Sequence, residues 1–346
     1  MWFRQCRSSL RLEFMRTPYL FFLGDVQDDL SAKTSHGIAH WRPEYCAGEF
    51  RLPGCGTTLE LPEIGFEEAV QRGAKTLIVG IANAGGVISE AWVPSLVEAV
   101  EAGLDVASGL HQRLNDIPSL REAAEKHGRR LFDVRHPTVP LKVGSGEKRP
   151  GKRLLTVGTD CSVGKMYATL ALEGEMKKRG VDATFRATGQ TGIFIAGEGI
   201  CVDAVVADFI SGAVEMLSPA NSPGHWDLIE GQGSLFHPSF AGVSLGLLHG
   251  AQPDALVFCD EPNRPHMRGL PGRLPPDLKE CLDANIDAAR LTNPDVRAVG
   301  VAFNTRKLTR SEAGDLMRRT ENELGLPCVD PVATGVGPIV DRVVEL

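Results

Sequence analysis

The chain has 346 residues, of which 42% are hydrophobic and 23% charged, with a formal net charge of -7. That length suits two α/β domains better than one small core, and the composition is that of a globular protein. The acidic balance argues against a protein whose main task is gripping nucleic acid. Eight cysteines are scattered without a CxxC pair, so neither a disulfide scaffold nor a metal site is expected, and a reducing cytoplasm is the expected compartment. No apolar run reaches membrane-spanning length.

The opening MWFRQCRSSLRLEF is basic but lacks the apolar stretch of a signal peptide. Residues 1–14 therefore read as a disordered extension ahead of Met15. From there to residue 138 the pattern alternates. Strands are expected at 19–25, 76–83, 105–109 and 130–135, and helices at 67–72, 89–102 and 119–127. Ser89 is placed to cap the middle helix and Gly103 to end it. This predicts a Rossmann-like, doubly wound N-terminal domain. Its long polar segment, 25–62, carries Lys33, His36, Trp41, Arg42 and Arg51. Loops of that length are functional or disordered, and the aromatics and cysteines of WRPEYCAGEFRLPGCG speak for function.

Residues 139–153 (VPLKVGSGEKRPGKR) read as a linker of glycine, proline and charge. A second α/β domain follows at 154–346. Its strands are expected at 154–159, 184–187, 227–230, 255–259 and 296–304, and its helices at 164–179, 203–217, 277–290 and 310–324. Its sheet is expected to be mostly parallel.

The second domain opens on GTDCSVGK at 158–165, a GxxxxxGK pattern, between an apolar strand and an amphipathic helix. Glycines let the backbone wrap an anion, the helix points free N–H groups at it, and Lys165 adds a fixed charge. The expected cradle is Gly158, Thr159, Asp160, Cys161, Ser162, Val163, Gly164, Lys165 and Met166, with Gln190 of RATGQTG on the same rim. Met166 stands where a standard P-loop has the hydroxyl that ligates Mg²⁺. Either other groups hold magnesium, or the loop grips a diphosphate that is never cleaved. Cys161 is read as part of the wrapped backbone rather than a nucleophile. In HWDLIEGQGSL, Glu230 ends a buried strand and is expected beside the loop, to bind metal, orient water or accept a proton.

GTDCSVGK, ATGQTG and IEGQGSL, in this order, resemble the P-loop arrangement of dethiobiotin synthetases and related amidoligases. A closer resemblance covers nearly the whole chain from Met15. FLGD, AKTSHGIAHWRPEYC, RLPGCG, GTDCSVGKM, ATGQTG, DAVVADFISGAVE, HWDLIEGQGSLFHPSFAGVSLGLLHG, ARLTNP and NTRKL look like a two-domain P-loop family of formerly unknown function. Its members include D-glutamate N-acetyltransferases. The resemblance implies small-molecule substrates, with acetyl-CoA as co-substrate and D-glutamate as acceptor, and a homo-oligomer. Such a reaction needs a base, for which Glu230 is the first candidate and Asp203 and His237 the next. Asp203 is also placed to cap the helix expected after it, and His237 to shape its loop. A dicarboxylic acceptor needs cations, and Lys33, Arg42, Arg51 and Arg306 are the local supply. Two rival readings stand. One is an ATP-dependent ligase or kinase with Mg²⁺ on Glu230 and Asp160; the other is a non-catalytic nucleotide-responsive binding protein.

Overall fold

A computed structural model describes residues 15–346; the extension expected at 1–14 lies outside the described residues. Two compact units are present. The first runs to Val139 and also takes Gly189–Ala204; the second comprises Pro140–Thr188 and Val205–Leu346.

The first unit is built on β1 (Tyr19–Gly24), β2 (Cys46–Arg51), β3 (Thr76–Val79), β4 (Asp105–Ser108) and β5 (Leu131–Asp133). They pair in parallel in the order β2-β1-β3-β4-β5. Its helices include α1 (Lys33–Trp41), α2 (Phe66–Gln71), α3 (Val93–Ala102) and α4 (Pro118–His127). Strands β1, β3 and β4 are buried throughout, as continuous apolar runs in a parallel sheet covered on both faces should be. Ser89 Oγ does accept from Ala91 N–H, but at a 3₁₀ turn, Glu90–Trp92, and α3 starts only at Val93. Gly103, at φ 110°, ends the helix as expected.

The segment 25–62 is not one loop. It holds α1 and the edge strand β2. Helix α1 buries Thr34, Ser35, Gly37 and Ile38, so its inner face is made of small residues that carry no apolar period.

The second unit is built on β6 (Lys152–Gly158), β7 (Ala183–Arg186), β8 (Trp226–Ile229), β9 (Ala255–Asp260), β10 (Arg297–Phe303) and β11 (Cys328–Val329). Their order is β11-β10-β9-β6-β8-β7, again parallel. The later helices are α5 (Lys165–Lys178), α6 (Gln190–Ala196), α7 (Ile210–Leu217), α8 (Ala241–Ala251), α9 (Leu278–Arg290), α10 (Arg310–Leu324) and α11 (Gly337–Val344). Helix α6 falls within the first unit. Asp277 caps α9, and Thr309 with Glu312 forms a capping box on α10. The helix expected at 203–217 shortens to α7, preceded by two 3₁₀ turns. Helices α8 and α11 were not anticipated; α8, AGVSLGLLHGA, is apolar nearly all round and broken by glycine.

The expected linker is not free. From Pro140 on it belongs to the second unit. Ser145 and Gly146 N–H groups donate to Glu215 at 2.9 Å, and Arg149 donates to the Ser218 and Gly250 carbonyls at 2.9 and 2.8 Å. At Gly212 a Cβ would meet the Lys142 carbonyl oxygen at 1.8 Å. Within α5, by contrast, a Cβ on Gly174 would meet nothing within 4 Å.

These two glycines make opposite predictions under urea unfolding. Gly174→Ala raises helix propensity and should stabilise by about 0.5–1 kcal/mol. Gly212→Ala drives the 140–151 segment outward and should destabilise by about 1–3 kcal/mol. A reversed ranking would contradict the packing described.

Candidate functional site

The phosphate loop begins where β6 must end in glycine. A Cβ on Gly158 would lie 2.6 Å from the Cys259 carbonyl oxygen on neighbouring β9. Ser162 at φ 55° and Gly164 at φ 104° turn the chain into α5, whose first N–H groups lack helical partners and face outward as anion donors. Lys165 is 5% exposed. Its Nζ donates to the Asp160 carbonyl at 2.7 Å, and burial holds its pKa below the ordinary lysine value.

The segment after β9, not singled out in the sequence, fastens this loop. Arg264 Nη1 donates to Asp160 Oδ2 at 2.6 Å and to the Cys161 carbonyl at 2.7 Å, and Nη2 donates to the Ser162 carbonyl at 3.0 Å. Arg264 also pairs with Glu261, which takes Lys307 Nζ at 2.6 Å. Arg268 N–H donates to Asp160 Oδ2 at 2.7 Å. His237 Nε2 donates to the Arg268 carbonyl at 2.9 Å, while its Nδ1 accepts from Ser239 N–H at 3.2 Å. Both ring nitrogens are thus engaged, and His237 holds the strap. On the other wall, Thr159 Oγ1 donates to Asp260 at 2.6 Å, whose carboxyl burial pushes up in pKa.

Asp160, Cys161 and His237 offer donor atoms within 4.8 Å of one another, a set of O, S and N that would suit zinc. The Asp160 carboxylate, however, already receives Cys161 N–H, Arg264 and Arg268 N–H. A cation there would have to displace a guanidinium and a peptide N–H.

Glu230 lies beside the loop, as the sequence indicated. The cause is Gly231: a Cβ there would sit 1.7 Å from the Thr156 carbonyl oxygen and 2.9 Å from Lys165 Cδ. Glu230 is buried, with Oε2 accepting from Thr188 N–H at 3.0 Å. Gln232 Nε2 donates to Thr188 Oγ1 at 3.3 Å, and Ser234 Oγ donates to the Thr159 carbonyl at 3.0 Å.

Gln190, expected on this rim, and Asp203, a candidate base, fall within the first unit. Gln190 opens α6, where its Nε2 donates to the Gly109 carbonyl at 3.1 Å and its Oε1 accepts from Arg135 at 3.0 Å. Asp203 pairs with the same Arg135 and accepts from Cys201 Sγ at 3.0 Å. Nor does Asp203 cap a helix, since α7 starts only at Ile210.

Lys33 and Arg42 stand at opposite ends of α1, roughly 13 Å apart along its axis. Arg42 donates to the Trp41 carbonyl at 2.8 Å. Arg51 is already matched by Glu49 at 3.4 Å and by Glu63. Arg306 is exposed, after β10 in the second unit. No helix among the described residues is long and apolar enough to cross a membrane.

Comparison with known proteins agrees with this architecture. A family of unknown function, DUF1611, matches twice: its Rossmann-like N-terminal domain at residues 52–137 and its P-loop domain at residues 142–340. A protein from Tritonibacter scottomollicae named D-glutamate N-acetyltransferase is 53% identical over 94% of this chain and 98% of its own. One of the same name from a Pseudoalteromonas species is 51% identical over the same shares. The crystal structure of a DUF1611 family protein from Anabaena variabilis has a TM-score of 0.84 at 31% identity, covering 95% of this chain and 100% of that one. With both halves matched and the fold shared along nearly its whole length, the chain belongs to the DUF1611 family.

Proposed function

We propose that this protein is an N-acetyltransferase that moves the acetyl group of acetyl-CoA to the amine of D-glutamate. The observation that carries this reading is identity of 53% and 51%, over 94% of the chain, to two proteins named for that activity. The site is consistent with it. Coenzyme A presents a diphosphate, and the loop offers the α5 N–H groups and a buried Lys165 ammonium with no phosphate bond to break.

In this reaction the acceptor nitrogen attacks the thioester carbonyl carbon, the C–S bond breaks, and coenzyme A leaves as the thiolate. The loop's part is to bind and orient the donor. With the diphosphate in the loop, the reacting carbonyl stands a pantetheine arm away. Glu230, next to the Gly231 that packs on the Lys165 stem, then orders the phosphate end through Thr188 and Gln232 instead of taking the amine proton.

The ligase reading fares worse on one observation. Its magnesium would need Asp160, whose carboxylate is engaged by Arg264 and two backbone N–H groups, and position 166 supplies methionine.

Paired assays separate the readings. Purified protein given acetyl-CoA and a panel of D- and L-amino acids should release free thiol with D-glutamate, while ATP with Mg²⁺ should yield no ADP. ADP formation without thiol release would favour the ligase, and silence in both would favour a binding protein. In calorimetric titrations Lys165→Ala should weaken acetyl-CoA binding about 10- to 100-fold, the worth of one charged hydrogen bond. Binding of D-glutamate should change little; equal loss of both ligands would refute this division of roles.

A further inference from the structure

We propose, resting on the transferase reading, that Arg306 in the turn after β10 binds the 3′-phosphate of acetyl-CoA and so selects that donor over nucleotides that lack the group. Every residue involved belongs to the second unit.

The turn 304–308 is built beside the phosphate loop. Asn304 N–H donates to the Asp260 carbonyl at 2.8 Å, which ties the turn to the end of β9. Thr305 N–H and Oγ1 donate to Asp330 Oδ2 at 2.9 and 2.5 Å, and Leu308 N–H closes on the Thr305 carbonyl at 2.8 Å. The capping box of Thr309 and Glu312 then starts α10. Fixed at both ends, the turn rests on the loop: a Cβ on Gly164 would lie 3.9 Å from Asn304 Cβ. Tyr167, in the first turn of α5, is close enough to Arg306 for the guanidinium to oppose the rise in phenol pKa that burial causes.

Arg306 keeps an unmatched charge. It is exposed, and among the described residues its guanidinium makes no hydrogen bond or ion pair. The carboxylates at the neighbouring strand ends are already engaged. Asp260 takes Thr159 Oγ1, Glu261 takes Arg264 and Lys307, and Asp330 takes Thr305 together with the Val332 and Ala333 N–H groups. A guanidinium left over beside a phosphate site is a fork ready for a second phosphate.

The direction of the bound nucleotide decides which phosphate this is. In phosphate loops the lysine reaches the phosphate farther from the nucleoside. Lys165 Nζ is drawn to the start of the loop, where it donates to the Asp160 carbonyl at 2.7 Å. The phosphate on the pantetheine side belongs at that end, and the adenosine leaves over Gly164 and the first turn of α5. There the 304–308 turn stands. Arg268, whose N–H donates to Asp160 Oδ2, stands at the lysine end instead. On its adenosine, coenzyme A differs from ATP and ADP by a 3′-phosphate, a group of about -1.5 to -2 charge at neutral pH. A bidentate guanidinium answers that difference directly.

The test compares acetyl-CoA with its 3′-dephospho analogue on the full-length protein and its Arg306→Ala and Arg306→Lys variants, by calorimetric titration and by D-glutamate-dependent thiol release. Wild type should bind acetyl-CoA about 10- to 100-fold more tightly than the dephospho donor, as one charged hydrogen-bonded contact gives. Arg306→Ala should abolish that preference by weakening acetyl-CoA alone, with kcat and the dephospho donor's affinity unchanged. Arg306→Lys, which keeps the charge without the fork, should fall between. The side chain is exposed and unbonded, so neither replacement should move the melting temperature. Wild type that releases no thiol would sink the transferase reading and this role together. Active wild type that treats the two donors alike would overturn the role of Arg306 alone, as would an Arg306→Ala variant that keeps the preference or weakens both donors equally.

Discussion

A buried ammonium sets the terms for the second unit. Taking the Lys165 charge out of water is costly unless something receives it, and among the described residues Nζ donates to the Asp160 carbonyl oxygen alone. Among the described residues no carboxylate oxygen reaches Nζ within ion-pair distance. Several neighbouring charges are matched among themselves. Asp160 meets Arg264, Arg264 meets Glu261, and Glu261 meets Lys307. One positive charge is therefore left for an anion, at the end of a helix whose own partial charge has the same sign. The strap from β9 maintains this state, because Arg264 also grips the Cys161 and Ser162 carbonyls and turns the loop's N–H groups away from itself.

What the sequence made legible follows from distance along the chain. Strand, loop and helix of the phosphate site are consecutive, so glycines, lysine and apolar runs betray it. Glu230 was readable because Gly231 follows it directly. Arg264 was not, since its partner Asp160 is 104 residues away and nothing local marks it as a latch. Gln190 and Asp203 lie in a stretch whose packing was hidden for a related reason. The chain leaves β7, lends Gly189–Ala204 to the first unit, and returns at Val205, a detour that no propensity encodes. Arg51 looked available because Glu63, which neutralises it, lies outside the motif in which it was read.

The first unit has the strand order of a nucleotide-binding sheet but fills the usual crevice with its own side chains. Ser35 of α1 sits on Gly80, where a Cβ would fall 1.5 Å from its Oγ, and Gln190 of α6 sits on Gly109, where a Cβ would fall 2.5 Å from its Cβ. Glycine at both strand ends admits a helix in place of a diphosphate.

Read together, these features account for the methionine at position 166. A loop that activates a phosphoanhydride needs a metal hydroxyl beside its lysine; a loop that merely holds a diphosphate does not. If the thioester lies an arm's length from the phosphate, binding energy gathered at Lys165 acts on a distant carbon, where it fixes position and offsets the entropy of bringing donor and acceptor together. The loop then has no reason to touch the chemistry, and side chains around it are free to serve rigidity: His237 on the Arg268 carbonyl, Glu230 on the Thr188 N–H. Glu230 is buried with Oε2 on that N–H, and both ring nitrogens of His237 are engaged, so each is fixed in place as part of the handle.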